Sequence, residues 1–248
     1  IFVTGATSGI GLECARAFAK DGDNLLLAGR RADRLAAIKE DFEQQYGVRV
    51  DTLVLDVSKR EDVESKVKPA IEAFGGIDVL VNNAGLAQGL DSFQDSAVED
   101  AVTMINTNVL GLLYVTKAVL PFMIDKNEGH IVNMGSTAGI YAYPGGAVYC
   151  ATKAAVKMLA DGIRMDTIAT DIKVTTIQPG IVETPFSEVG FHGDAERAKS
   201  EYAGIEAVQP EDVADVVLYV TNQPKRMQIS DVTIMANQQA AGFMVHKK

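Results

Sequence analysis

Tyr149 and Lys153 stand four residues apart, the spacing that brings two side chains to one face of a helix. A phenol ordinarily titrates at about 10, which makes it a poor base at neutral pH. A neighbouring ammonium favours the phenolate, and such a pair can pass a proton to or from a reacting oxygen. Chance alone gives about 0.4 pairs of this kind in a chain of this composition, so context must decide. Ser136 precedes Tyr149 by 13 residues, at the end of the apolar run His130–Met134. A serine at a strand end and a tyrosine on the next helix can converge over one crevice. Asn108 lies in Asn106-Thr107-Asn108-Val109-Leu110-Gly111, inside a long helical pattern where Asn is a poor helix former. Either it is an incidental polar residue at a kink, or it holds a water that connects to Lys153.

A second group of residues has the chemistry of phosphate binding. The first apolar run leads straight into Thr4-Gly5-Ala6-Thr7-Ser8-Gly9-Ile10-Gly11, and a helical pattern follows. Gly5 permits a tight turn, Gly9 lets backbone N–H groups approach a pyrophosphate at the helix N-terminus, and Gly11 allows close packing. Thr7, Ser8 and Ile10 complete that surface. Three glycines at this spacing are expected by accident about 0.2 times, so the strand–turn–helix setting carries the reading of a dinucleotide site. The second strand ends in Gly29-Arg30-Arg31, where an adenosine ribose would lie. Two guanidinium groups there suit a 2′-phosphate, and hence NADP(H), because an NAD site usually places an acid at that point. Asp33 is the one acid nearby. Asp56 and Val57 end the third strand and could meet an adenine amine and ring. Asn83, Ala84 and Gly85 end the fourth; alone they read as a turn, but at a central strand end they suggest ligand contact.

These residues need a frame that gathers strand ends. The strand candidates are Ile1–Thr4, Asn24–Ala28, Val48–Leu55, Val79–Val81, His130–Met134, Val174–Gln178 and Val232–Met235. They are apolar at consecutive positions, as strands covered on both faces are. Helix candidates alternate with them: Gly9–Asp21, Ala32–Gln45, Glu61–Phe74, Val98–Asp125, Ala147–Ala169 and Pro210–Thr221. The alternation predicts one α/β domain over residues 1–248, a Rossmann-type doubly wound parallel sheet of about seven strands. The polar segment Ser187–Gly204 reads either as a lid over the crevice or as an ordinary solvated loop.

Composition narrows the partners. At 248 residues the chain can bury a large single core. A net charge of −10 leaves no basic footprint for nucleic acid. No apolar run approaches the roughly 20 residues that a bilayer requires, so no membrane partner is expected. The two cysteines, Cys14 and Cys150, fit a reducing, cytoplasmic setting and read as inert buried thiols. Three scattered histidines give no metal site. The chain opens at Ile1 within a strand candidate and without an initiator Met, so a few preceding residues are expected.

Thr4–Gly11, Asn82–Gly85, Asn108, Ser136, Tyr149, Lys153 and Pro179-Gly180 occur in the order and spacing of the short-chain dehydrogenase/reductase family, which the whole chain resembles. The resemblance implies an NADP-dependent oxidoreductase acting on CH–OH and C=O groups, usually a homotetramer or homodimer. By that likeness Ser136 orients the substrate oxygen, Tyr149 exchanges its proton, Lys153 holds the nicotinamide ribose and tunes Tyr149, and Asn108 supports a proton-relay water. Tyr149 and Lys153 thereby also touch the cofactor. Pro179, Gly180, Val182 and Thr184 would close over the nicotinamide. A narrower resemblance, in Asn82–Gly89, Gly135–Pro144 and Pro179–Gly193, is to the NADP-dependent 3-hydroxy acid dehydrogenases, which oxidise serine, allo-threonine and related short acids. It adds Phe191 and His192 to Ser136 and Tyr149 as substrate contacts. In that pattern basic residues flank the aromatic at Phe191; here Gly190 and His192 stand in their place.

Two other readings compete. A 3-oxoacyl thioester or a sugar or polyol ketone is the runner-up substrate. A cofactor-sensing regulator without chemistry is the alternative of another class. Such a protein commonly lacks the tyrosine or the lysine, and this chain has both along with Ser136 and Asn108.

Overall fold

Strands that are apolar at consecutive positions require helices on both faces, and the chain folds that way. The computed structural model describes residues 1–89, 91–186, 190, 196 and 202–248. The strands are β1 (Phe2–Thr4), β2 (Leu25–Gly29), β3 (Val50–Val54), β4 (Val79–Asn82), β5 (Glu128–Met134), β6 (Asp171–Pro179) and β7 (Asp231–Ile234). They form one sheet in the order β3-β2-β1-β4-β5-β6-β7, with every neighbouring pair parallel. The seven-stranded doubly wound sheet expected from the sequence is therefore the fold. Strand order reverses between β1 and β4, which opens a crevice above their carboxyl ends.

The helices are α1 (Gly9–Lys20), α2 (Ala32–Tyr46), α3 (Arg60–Phe74), α4 (Val98–Ile105), α5 (Leu112–Lys126), α6 (Ala147–Asp166) and α7 (Pro210–Thr221). Alternate residues of β2 enter opposite cores. Leu25 and Leu27 pack with Phe18, Phe42 and Val213 of α1, α2 and α7. Leu26 and Ala28 pack with Val67, Val115 and Ala160 of α3, α5 and α6. Both faces of β2 and β4 are covered, which is why those strands show no polar alternation, whereas the edge strands β3 and β7 alternate between more and less exposed residues.

Two expectations need correction. The single helix expected over Val98–Asp125 is interrupted: a wider π-helical turn over Asn106–Gly111 joins α4 to α5. Gly111 permits this crowding, since a Cβ there would lie 2.8 Å from Val57 Cγ2. Moreover, the continuous winding Val98–Lys126 is long and apolar enough, by length and composition, to cross a membrane, contrary to the sequence reading. Scattered Asn106, Thr107, Asn108 and Lys117 hid that run. Its inner side carries Val115, Val119 and Met123 in the core beside β4 and β5. Burial against the sheet accounts for the apolarity of that inner side, while Val98, Val102, Ile105 and Ile124 stay exposed.

Candidate active site

The glycine turn is shaped by its neighbour across the crevice. Gly5 and Gly9 have φ of 65° and 54°, in the left-handed region. A Cβ at Gly11 would lie 2.3 Å from Asn83 Nδ2 and 2.4 Å from Gly5 O, so only glycine fits. The Asn83 amide donates to Thr4 O at 3.1 Å and Gly5 O at 3.2 Å. The Asn83 and Ala84 N–H groups both donate to Thr4 Oγ1 at 3.1 Å. Asn83 thus braces the turn with its side chain. Gly5, Thr7, Ser8, Gly9 and Ile10 line the resulting cleft, as do Asn83, Ala84 and Gly85.

Arg30 and Arg31 line the same cleft at the end of β2. Arg31 Nε donates to Thr7 Oγ1 at 3.0 Å, and its terminal nitrogen to Ser8 Oγ at 2.9 Å. A guanidinium therefore lies against the phosphate-binding turn, with the exposed Arg30 beside it at the cleft mouth. Burial and the neighbouring Arg34 and Arg30 lower the Arg31 pKa. Asp56 Oδ1 accepts from the backbone N–H and hydroxyl of its neighbour Ser58, at 3.1 and 2.7 Å. One carboxylate oxygen is thereby committed to an Asx turn. Asp56 and Val57 still line the cleft. Glycines that admit a pyrophosphate, two guanidinium groups at the strand end and no acid on that strand end fit NADP(H).

At the other end of the cleft Ser136, Tyr149 and Lys153 come together, with Pro179, Gly180, Val182 and Thr184 on the opposite wall. Ser136 caps a one-turn 3₁₀ helix, accepting from Ala138 N–H at 3.1 Å and donating to Pro179 O at 3.3 Å. Lys153 is buried; its ammonium donates to Met134 O at 2.8 Å and lies 5.8 Å from the Tyr149 ring centre. Burial pulls that ammonium down to about 8. Burial also pushes the Tyr149 phenol up to about 12, against a hydrogen bond with Ser136. The sequence reading expected Lys153 together with a cationic nicotinamide to lower the phenol; in the protein by itself the lowering influence is the Ser136 hydrogen bond, and desolvation outweighs it. What the arrangement offers is a hydroxyl pair for one substrate oxygen and a buried cation behind it.

Asn108 sits on the π-turn behind Gly85, where a Cβ would lie 3.2 Å from Asn108 Oδ1 and 3.5 Å from Lys153 Nζ. Its Nδ2 donates to Leu86 O at 2.8 Å and Thr152 Oγ1 at 3.1 Å, and its Oδ1 accepts from Leu86 N–H at 2.9 Å. Both amide hydrogens are used, so the side chain itself has one acceptor lone pair left for water. Its nearer effect is to fix the loop after β4. Phe191 and His192, with most of Ser187–Gly204, lie outside the described residues. Among the described residues no group of three or more His, Cys, Asp or Glu could hold a metal ion. Burial pushes Cys14 up to about 12, away from reactivity.

A short-chain dehydrogenase family model matches residues 1–193. The chain belongs to the short-chain dehydrogenase family. It is 42% identical to the NADP-dependent 3-hydroxy acid dehydrogenase of Schizosaccharomyces pombe, an alignment spanning 100% of this chain and 96% of the relative. It is 44% identical to the enzyme of the same description from Salmonella typhi, over 100% of this chain and 99% of the relative. Among solved structures it matches the closed form of a serine dehydrogenase complexed with NADP+, with a TM-score of 0.90 and 40% identity, over 100% and 99% of the two chains.

Three contributors to this short-chain dehydrogenase site escaped the sequence reading. Phe186 packs on Tyr149 with ring centres 5.9 Å apart. The Thr152 hydroxyl donates to Tyr149 O at 2.7 Å while accepting from Asn108. Gln239, from the far end of the chain, accepts from Ile181 N–H at 2.9 Å. Phe186 and Thr152 adjoin recognised motifs, and helical spacing marks Thr152. Nothing local marks Gln239.

Proposed function

We propose that the chain transfers hydride between NADP(H) and the carbinol carbon of short 3-hydroxy acids such as serine or allo-threonine. The observation that carries this is one cleft holding Arg30 and Arg31 at one end and Ser136, Tyr149 and Lys153 at the other. The names of the full-length relatives support the same cofactor and substrate class. When bound, the cofactor supplies the hydride acceptor or donor and, oxidised, a positive charge beside the phenol.

The chain's own residues then divide the work. Ser136 and Tyr149 hold the substrate oxygen between two hydroxyl groups. Tyr149 takes the alcohol proton in oxidation and returns it in reduction. Lys153 fixes the ribose and offsets charge on the phenolate. Asn108 keeps the β4 loop, and so the nicotinamide wall, in place. Gly5–Ile10 receive the pyrophosphate, Arg30 and Arg31 the 2′-phosphate, Asp56 and Val57 the adenine. Pro179–Thr184 cover the nicotinamide, and Phe191 and His192, outside the described residues, are assigned to the substrate by family likeness alone.

The working form is a cytoplasmic homotetramer, with a homodimer as the smaller assembly. Exposed Val102, Ile105 and Ile124 on the α4–α5 winding support association, and two free cysteines support a reducing compartment. Absorbance of NADPH at fixed enzyme, across hydroxy acids, sugars, acyl thioesters and uncharged alcohols, tests the reading. Preferred oxidation of a short 3-hydroxy acid with NADP+ is expected. No turnover of any hydroxy acid would remove the substrate assignment.

A further inference from the structure

The stretch Pro179–Ile181, where β6 leaves the sheet beside the nicotinamide end of the cleft, is tied down bond by bond. Pro179 O accepts from Ser136 Oγ at 3.3 Å. Gly180 N–H donates to Ile234 O of β7 at 2.7 Å, and Ile181 O accepts from Val208 N–H at 3.2 Å. The other backbone donor of the stretch, Ile181 N–H, goes to a side chain: Gln239 Oε1 accepts it at 2.9 Å.

Gln239 lies 58 residues beyond Ile181, is buried, and belongs to a fixed hairpin at the end of the chain. Ala240 N–H donates to Met244 O and His246 N–H to Gln238 O, each at 2.9 Å, around the antiparallel bridge Gln239–Val245. Gln238 fastens that hairpin to the body, accepting from Glu206 N–H at 2.8 Å and donating to Gly204 O at 3.1 Å. Gln239 Nε2 donates within it, to Gly242 O at 3.4 Å. The oxygen offered to Ile181 is therefore held from behind. Its fit to the stretch is tight as well as polar: a Cβ on Gly180 would lie 2.1 Å from Gln239 Oε1 and 2.9 Å from its Cδ. Ser136 and Gln239 thus hold Pro179–Ile181 between them, and Gly180 presents its backbone to the cofactor cleft.

Resting on the function proposed above, in which Pro179–Thr184 cover the nicotinamide, we infer that Gln239 is a positioning residue for the nicotinamide half of the cofactor. It acts through Gly180 and Ile181, whose backbone forms that wall. Without the Gln239 acceptor the Ile181 N–H is left unpaired, which costs more than the bond itself contributes, so the wall shifts. The adenosine half, at Arg30 and Asp56, keeps its own contacts.

The test is calorimetric titration of the full chain with NADP+ and with adenosine 2′,5′-bisphosphate, which has the adenine and the 2′-phosphate but no nicotinamide. Gln239→Met keeps the bulk and removes the acceptor. Its Kd for NADP+ is expected to rise about three- to tenfold, the loss of one ordinary hydrogen bond, while that for the bisphosphate stays within about twofold. Gln239→Glu, which keeps an acceptor at the same reach, restores most of the NADP+ affinity. If Gln239→Met does not fold, Gln239→Asn withdraws the acceptor and is read by the same ratio. Equal weakening of both ligands would make Gln239 a residue of the fold alone and overturn the inference, as would an unchanged NADP+ Kd or a Gln239→Glu as weak as Gln239→Met. Arg30→Ala checks the reading beneath it and is expected to weaken both ligands; if it weakens neither, the placement of the cofactor fails, and the inference with it.

Discussion

Asn108 holds the backbone of Leu86 at both polar atoms, accepting from its N–H at 2.9 Å and donating to its carbonyl at 2.8 Å. A side-chain amide here completes a ladder as a strand neighbour would, across 22 residues of sequence. Asn108→Asp keeps the size and the acceptor but loses both donations. It is expected to destabilise the fold by about 1–3 kcal/mol, because Leu86 O and Thr152 Oγ1 lose a buried donor. Urea unfolding measures this, and kcat is expected to fall as the β4 loop loosens. A variant with native stability and native kcat would show that Leu86 is held by other means.

Tyr149→Phe removes one hydroxyl and keeps the ring that packs on Phe186. If Tyr149 is the acid/base, kcat falls by about 10²–10⁴ while NADPH fluorescence titration still reports binding. Since burial favours the neutral phenol, oxidation in the unmodified enzyme is expected to rise with pH and reduction to fall. Near-normal turnover by Tyr149→Phe would require another proton donor.

Arg30→Ala with Arg31→Ala tests cofactor choice. Loss of the two guanidinium groups is expected to raise KM for NADPH about ten- to a hundredfold and leave NADH nearly unchanged. Arg31 also bonds Thr7 and Ser8, so Arg30→Ala alone separates phosphate recognition from bracing of the turn. Equal use of both cofactors by the unmodified enzyme would end this reading of the strand end.

His130 bears on acid stability. Its Nε2 lies 2.7 Å from Thr175 Oγ1, and burial, aided by the Lys173 charge, pulls its pKa down to about 3. Unfolded histidine titrates at about 6.5, so between these values the unfolded chain binds the extra proton. Stability is therefore lost as pH falls from about 6.5 towards 3, at up to about 1.4 kcal/mol per pH unit from this group. Unfolding free energies at pH 7 and 5 are expected to differ less in His130→Gln than in the unmodified protein. Identical differences would assign the loss to other groups.

The residues legible in the sequence are those whose role is fixed by a strand end and the next turn. Gly5, Gly9, Arg30, Ser136, Tyr149 and Lys153 all belong to this kind, and all line the cleft. What the sequence does not show are the distant partners. Gly11 does pack closely on the turn after β1, where a Cβ would lie 2.4 Å from Gly5 O, and it also faces Asn83 from across the crevice. Asn108 reads as a holder of water, and its two amide hydrogens go to Leu86 and Thr152. The break in the long helix is signalled only as a kink at Asn108 and not as a π-turn over Asn106–Gly111, and Gln239 is hidden because its partner lies 58 residues away.

The bond between Asn83 and Thr4 spans 79 residues. The glycine turn is consequently no self-sufficient motif: its contour is finished only when β4 docks beside β1. A fragment ending before Val79 would carry all three glycines and lack the mould that shapes them. Nucleotide affinity should thus arrive late in folding, after the most distant pairing at the centre of the sheet, and a nascent chain should gain it as a step once residue 84 is free to fold.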